Sequence, residues 1–342
     1  MAAGQTFNDP VSNSPADHEP GSGQLDQILY PYLHEAPVDS TPLEDPPPLA
    51  DLIGAPQPLE PLPTAESEPR SAASGFLGFF GLRINPFSDS VNPEFFYKTD
   101  AHDEAFIRMS LAIENEISLG LVTGISGTGK TLISQLLLRN MDPAKYAAVL
   151  VLVSPNMSKT ALLREILSEL EIEIPADLIS TQGMLKLLSH QIIDLYEKGR
   201  KLVILIDECH FLSAESLHLI RTISNIEIPE KKLSTTILFG EQRFLKRLEH
   251  PSYESIRNRM YLRSELPPLS AGDCVQYVKF RLLVAGRDAD LFDENALSAL
   301  ALHSGGICRR INKLCMLSLL EAYHQKQPVI GEPVISVCAK EL

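Results

Sequence analysis

Four residues set the first chemistry open to this chain: Gly124, Gly129, Lys130 and Thr131 fit the pattern G-x-x-x-x-G-K-[ST]. That spacing suits a triphosphate. Glycines allow the backbone from Gly124 through Ile125, Ser126, Gly127, Thr128 and Gly129 to wrap anionic oxygens with its N–H groups turned inward. A helix opening near Gly129 adds free amides and a positive dipole end, extending the phosphate-binding set through Lys130 and Thr131 to Leu132. Lys130 is placed to reach the β- and γ-phosphates, and the Thr131 hydroxyl to ligate Mg²⁺. The flanks agree, with an apolar strand-like run from Leu119 before the loop and helix-like spacing of Leu132, Ile133, Leu136 and Leu137 after it.

A second constellation lies downstream. Leu202-Val203-Ile204-Leu205-Ile206 is a buried-strand run that ends in Asp207-Glu208. Beside a phosphate loop, a carboxylate at the end of a strand holds Mg²⁺, which assigns Asp207 to the metal with Thr131. Glu208 is then placed to polarise a water toward the γ-phosphate. The two motifs together predict Mg²⁺-dependent ATP hydrolysis rather than binding alone.

The elements that must position these residues read as alternating strands and helices. Strand-like runs follow at Tyr146 to Ser154, Leu202 to Ile206, Ser234 to Gly240 and Met260 to Leu266. Continuous apolar runs suit parallel strands buried on both faces. Helical periodicity marks Thr99 to Ser118, Ser158 to Leu170, Thr181 to Tyr196 and Ser213 to Ser224, with Ser158 and Thr181 as expected N-caps. The fold class is therefore α/β with a parallel sheet. After Pro267-Pro268 the pattern becomes helical, over Ala271 to Ala285, Asp293 to Ser304, Arg309 to Tyr323 and a short tail near Ile335 to Glu341; Val329-Ile330 is the one remaining strand candidate. The expected organisation is a tail over 1–74, an α/β nucleotide-binding domain over 75–266 and a helical lid over 267–342. Aromatic residues from Phe76 to Tyr97 read as a lead-in that covers a core.

Composition bounds the rest. Twelve acidic residues and one basic residue lie in the first 70, so −11 of the formal net charge of −14 sits there, along with 14 of the 25 prolines. Such a segment buries too little apolar surface to offset its ordering entropy and is expected to be disordered. It carries an apolar island (Leu25, Ile28, Leu29, Tyr30, Tyr32, Leu33) and a P-x-x-P match at Pro58 to Pro61, either of which could dock a partner. The acidic balance argues against a dominant nucleic-acid surface. A modest basic patch of Lys231, Lys232, Arg243, Lys246 and Arg247 keeps a DNA-binding reading as an alternative. The five cysteines form no C-x-x-C pair or zinc spacing, and no signal peptide or membrane span is read. The expected compartment is the cytoplasm, with any link to the inner membrane made through a partner. Beside Glu208, His210 reads as a switch or as an ordinary turn histidine, and Cys209 as a packed small residue with redox regulation as its alternative.

Several short motifs in order resemble one family. Phe80-Gly81-Leu82-Arg83-Ile84-Asn85-Pro86-Phe87, the phosphate loop, Asp207-Glu208-Cys209-His210, Leu238-Phe239-Gly240-Glu241-Gln242, Arg257-Asn258-Arg259, Pro267-Pro268-Leu269-Ser270 and Ser304-Gly305-Gly306-Ile307-Cys308-Arg309-Arg310-Ile311-Asn312 are similar to the general secretion pathway protein A (ExeA-like) AAA+ ATPases. The resemblance spans roughly residues 76–340. It implies a five-stranded AAA+ sheet of order 5-1-4-3-2, a helical lid, and a homo-oligomer with ATP at the subunit interface. Arg259 matches the arginine that reaches a neighbour's γ-phosphate, with Arg257 in reserve. Arg309 matches the lid arginine known as sensor 2, and Glu241 or Gln242 falls where sensor 1 is expected. Cys308 stands where the family usually has Pro. Many members also carry a transmembrane helix and a peptidoglycan-binding domain, neither of which lies within these 342 residues. The implied work is assembly or remodelling of a secretion, pilus or surface-polysaccharide apparatus. The alternatives are a DNA-binding ATP switch like the transposition target-selection ATPases and a nucleotide-bound adaptor acting through its tail.

Overall fold

The computed structural model describes residues 72–342 except 89, 91, 116, 179, 230, 288 and 289. The acidic tail, its apolar island and its P-x-x-P match lie outside the described residues.

Five parallel strands form the central sheet: β1 (Leu119–Gly124), β2 (Tyr146–Leu152), β3 (Lys201–Asp207), β4 (Ser234–Gly240) and β5 (Met260–Leu266). Their order is β2-β3-β4-β1-β5, which is the expected 5-1-4-3-2. The three inner strands β1, β3 and β4 are buried almost throughout, as continuous apolar runs should be. The apolar run of β2 suggests the same burial, yet β2 alternates between buried and half-buried positions. It is an edge strand, so its exposed side carries Tyr146, Ala148 and Leu150 while Ala147, Val149 and Val151 face the core.

The helices α1 (Ala72–Phe79), α2 (Asp100–Glu114), α3 (Lys130–Asn140), α4 (Lys159–Glu169), α5 (Thr181–Glu197), α6 (Ala214–Ile223), α7 (Arg243–Leu248) and α8 (Glu254–Arg257) precede the last strand. Ser158 caps α4 as expected, its Oγ accepting the Ala161 N–H. Thr181 does not cap α5. Ser180 takes that role with the Gly183 N–H, because the Thr181 hydroxyl is engaged with Thr160 at 2.6 Å. Two-residue strands Glu227–Ile228 and Lys231–Lys232 pair antiparallel as a small hairpin, too short for a period-2 signal. The main core gathers Ile204, Ile206, Leu163, Ile166, Leu188 and Ile192, each fully buried or within a percent of it. Each such side chain stabilises the fold by about 1.5–3 kcal/mol relative to exposure.

A second core belongs to α9 (Ala271–Val284), α10 (Glu294–Ser304), α11 (Cys308–His324) and α12 (Glu332–Cys338). Val329-Ile330 forms no strand; Ile330 makes a single bridge to Phe292. The lead-in joins this helical core rather than the sheet: Phe80, Leu82 and Phe87 are buried among Val278, Leu282, Phe292 and Leu319. Arg281 clamps it there. The buried guanidinium donates through Nε to the Pro86 carbonyl at 2.5 Å and through Nη1 to the Tyr277 hydroxyl at 2.8 Å, and it lies 4.6 Å from the Phe95 ring. The aromatic stretch also contains a helix, α1, whose Phe76 and Phe79 meet Tyr323 edge-on.

Candidate active site

Strand β1 ends at Gly124, where the chain turns sharply. A Cβ there would lie 2.7 Å from Thr128 Oγ1 and 2.8 Å from the Leu266 carbonyl, so the position excludes any side chain. Gly127 and Gly129 take φ values of +85° and +101°, the left-handed region open to glycine. The loop then feeds α3, which begins at Lys130. Lys130 is 5% exposed and its Nζ donates to the carbonyls of Gly124 and Ile125, each at 3.0 Å. Burial pushes this ammonium below the usual lysine range, while Glu208 and Asp207 oppose the drop.

The C-terminal end of β3 brings the second motif beside the first. The Thr131 hydroxyl donates to Asp207 Oδ2 at 2.7 Å. Asp207 is buried, and its other oxygen accepts the Glu208 N–H at 2.8 Å. Glu208 sits at φ +54°, a conformation unusual for a side-chain-bearing residue, which bends the chain sharply where the strand ends. Its carboxyl is pushed above the usual range first by burial and then by Asp207. The residues fit Mg²⁺ and a triphosphate: a hydroxyl and a carboxylate form a hard oxygen donor set, and the glycine cradle has room where a Cβ would not fit. Ser126, Gly127, Gly129, Lys130, Thr131, Leu132 and Glu208 line one cleft.

The far wall of that cleft comes from the lead-in and the helical unit, including Phe96, Tyr97, Tyr277 and Arg309. Helix α11 starts at Cys308, the first helical position, so the residue that replaces Pro leaves the start of the helix intact. Arg309 follows, with its N–H donating to the Gly127 carbonyl at 3.2 Å and Nη1 to Ser126 Oγ at 3.3 Å. His102 completes the underside. Its Nε2 lies 2.9 Å from the Thr128 carbonyl, and its Nδ1 2.6 Å from Thr99 Oγ1. A carbonyl only accepts, so Nε2 carries the hydrogen and Nδ1 accepts from the hydroxyl. No sequence motif points to His102, whose contact lies with a loop 26 residues away.

Comparison with known proteins decides the family. The family model described as AAA domain matches residues 114–248. General secretion pathway protein A of Aeromonas hydrophila is 32% identical over 264 residues, covering 77% of this chain and 48% of that protein. The chain belongs to the AAA ATPases and is a relative of general secretion pathway protein A. It spans about half the length of that relative. Solved structures support the fold. The Aeropyrum pernix ORC2 protein, in ADPNP–ADP complexes, aligns with a TM-score of 0.59 at 14% identity, covering 75% of this chain and 71% of that one. Cdc6p from Pyrobaculum aerophilum aligns with a TM-score of 0.59 at 16% identity, covering 75% and 70%.

Of the remaining expected residues, Arg259 and Arg257 lie apart from the chain's own phosphate loop, whereas Glu241 and Gln242 follow β4 beside it. Arg259 precedes β5, at the strand end opposite the Leu266–Gly124 pairing. Seven residues of strand put about 20 Å between that end and the loop. The Arg259 side chain pairs with no other described residue. Arg257 Nη1 approaches the Leu248 and Glu249 carbonyls at 3.5 and 3.4 Å, which ties it to its own fold. Gln242 donates to Glu265, and Glu241 Oε2 pairs with Arg243 Nε at 2.9 Å. The basic patch is also partly consumed: Lys232 pairs with Glu227, Arg243 with Glu241, and Arg247 donates to the Leu212 carbonyl at 2.6 Å. Among the described residues no helix is long and apolar enough to cross a membrane.

Proposed function

We propose that this AAA ATPase binds Mg·ATP between the phosphate loop and the helical unit, hydrolyses it, and couples the cycle to assembly or remodelling of a secretion-type protein apparatus. The observation that carries the reading is the junction of Thr131, Asp207 and Glu208 at the end of β3, beside Lys130. Lys130 and the loop amides would bind the β- and γ-phosphates, and Thr131 and Asp207 would hold Mg²⁺. The ion supplies neutralisation of charge on the phosphate oxygens. Glu208 lines the cleft and accepts a proton from the attacking water, a task favoured by its upward-shifted carboxyl. Arg309 contributes positive charge from the helical side. Arg259 points to a site completed by a neighbouring copy, since it lies too far from its own loop.

Coupling to a secretion apparatus draws on the relative in Aeromonas hydrophila and on no residue of this chain. Engagement of three of the five patch cations leaves the DNA-switch alternative with little surface. The experiment is single-turnover and steady-state ATP hydrolysis by Glu208→Gln beside equilibrium nucleotide binding. Turnover should fall by about 10²–10⁴-fold with binding retained. Turnover at the parent rate would sink the reading.

A further inference from the structure

His210 is a second group aimed at the Glu208 carboxylate. Its ring is held on several sides. The Phe211 ring leans against it, tilted by 41° with centroids 4.1 Å apart, and its backbone is fixed where Cys209 packs under β4. That packing depends on Gly240, where a Cβ would lie 2.6 Å from Cys209 Sγ and 3.4 Å from the His210 nitrogen. Arg247 reaches the turn's carbonyls at Leu212 and, more distantly, His210. The imidazole is 98% buried, its side chain being 2% exposed. Its Nδ1 lies 3.2 Å from Glu208 Oε2, and its Nε2 lies 3.9 Å from Glu241 Oε1. The approach to Glu208 is too oblique for a full hydrogen bond, so Nδ1 is a buried polar atom left without one.

Two carboxylates and one imidazole thus bring ligating atoms within 4.8 Å of one another. Without the ring, Glu208 and Glu241 would face each other as like charges. Neither His210 nor Glu241 lines the cleft, whereas Glu208 does. A buried polar atom this close to a carboxylate gains a hydrogen bond from a small rotation of either group. Glu241 is anchored in turn by Arg243.

We infer that His210, backed by Glu241, is a positioning residue for Glu208, turning its carboxylate toward the water it is to deprotonate. This rests on the hydrolytic reading above. The ring acts through Glu208 and touches neither nucleotide nor metal. The chain from Glu208 through His210 and Glu241 to Arg243 also connects the site to the first residue of α7, so a partner that moves α7 would alter the base's orientation.

The test is ATP hydrolysis and nucleotide binding by full-length His210→Ala, His210→Asn, Glu208→Gln and the Glu208→Gln/His210→Ala double variant. Misplacing a reacting group by about 1 Å costs on the order of 100-fold, so kcat should fall ten- to a hundredfold in His210→Ala, with affinity for an ATP analogue within about twofold. Asn places an amide near the former Nδ1 and should recover most of the loss. In the Glu208→Gln background, His210→Ala should cause no further loss, because residues that act as a unit are not additive. Parent-like kcat in His210→Ala would overturn the inference. So would equal loss in Ala and Asn variants with a lowered melting temperature, which marks a packing role. If Glu208→Gln itself turns over normally, the hydrolytic reading fails first and the two failures are distinguishable.

Discussion

Gly127 and Arg309 are in backbone contact: the Arg309 N–H donates to the Gly127 carbonyl at 3.2 Å, and a Cβ on Gly127 would lie 2.7 Å from Arg309 Cβ. The phosphate loop and the helical unit therefore meet at a point that admits no side chain. Gly127→Ala meets two costs at once. The left-handed φ costs about 1–2 kcal/mol, and the new methyl pushes Arg309 away. Expected are about tenfold weaker binding of an ATP analogue and a melting temperature lower by several degrees. Gly305→Ala is the control, since Gly305 is also left-handed but has nothing within 4 Å of its Cβ position. It should lower the melting temperature without weakening nucleotide binding. Equal binding loss in both variants would show that backbone strain, and not contact with Arg309, is responsible.

The Thr131–Asp207 hydrogen bond gives a metal-dependent readout. Thr131→Ala removes one oxygen donor and leaves Asp207 Oδ2 without its hydroxyl partner. The Mg²⁺ concentration for half-maximal turnover should rise about tenfold or more. Thr131→Ser retains the hydroxyl and should stay near the parent value. A Mg²⁺ titration that is the same for Ala and parent would remove Thr131 from the metal's surroundings.

What the sequence disclosed follows from how local each signal is. The phosphate loop and Asp207-Glu208 each occupy a few consecutive residues, so motif spacing alone exposed them. The strand order followed from the family likeness, and the inner strands from their unbroken apolar runs. Long-range partners left no periodic trace. His102 meets Thr128 across 26 residues, and Arg281 clamps Pro86 across 195. The lead-in read as a cover for a core, and the structure specifies which one: Phe80 and Phe87 sit in the helical core, a choice that hydrophobicity cannot make. Ser180 displaced Thr181 as a cap because a threonine–threonine hydrogen bond competes for that hydroxyl.

His102 should make the loop sensitive to acid. Its neutral form satisfies both Thr99 and Thr128, and burial lowers its pKa below the ordinary histidine value of about 6.5. The unfolded chain then binds a proton before the folded one does. Stability is fully present above the unfolded value and is lost as pH falls toward the lowered folded value. The loss approaches about 1.4 kcal/mol for each pH unit within that window. Thermal unfolding of the parent and of His102→Gln at pH 7.5, 6.5 and 5.5 separates this from other groups. The parent should lose more stability across the series than the variant. Parallel losses would assign the acid sensitivity elsewhere.

Arg259 gives the sharpest prediction, because its place in the fold keeps it away from its own phosphate loop. It stands at the end of β5 remote from its own Gly124, so any phosphate it reaches belongs to another copy. Arg259→Ala should reduce turnover by on the order of 10³-fold, as loss of a trans-acting arginine does, while leaving nucleotide affinity nearly unchanged. Arg257→Ala should have a smaller effect on chemistry, since that guanidinium faces the Leu248 and Glu249 carbonyls. The decisive measurement mixes two inactive proteins. Glu208→Gln has a disabled site but an intact Arg259, and Arg259→Ala has an intact site but no arginine to lend. In a mixed assembly some interfaces pair the intact site with the intact arginine, so activity should reappear on mixing and grow with total protein concentration. A mixture no more active than the sum of its parts, at concentrations where the parent turns over fully, would confine Arg259 to a role within its own subunit.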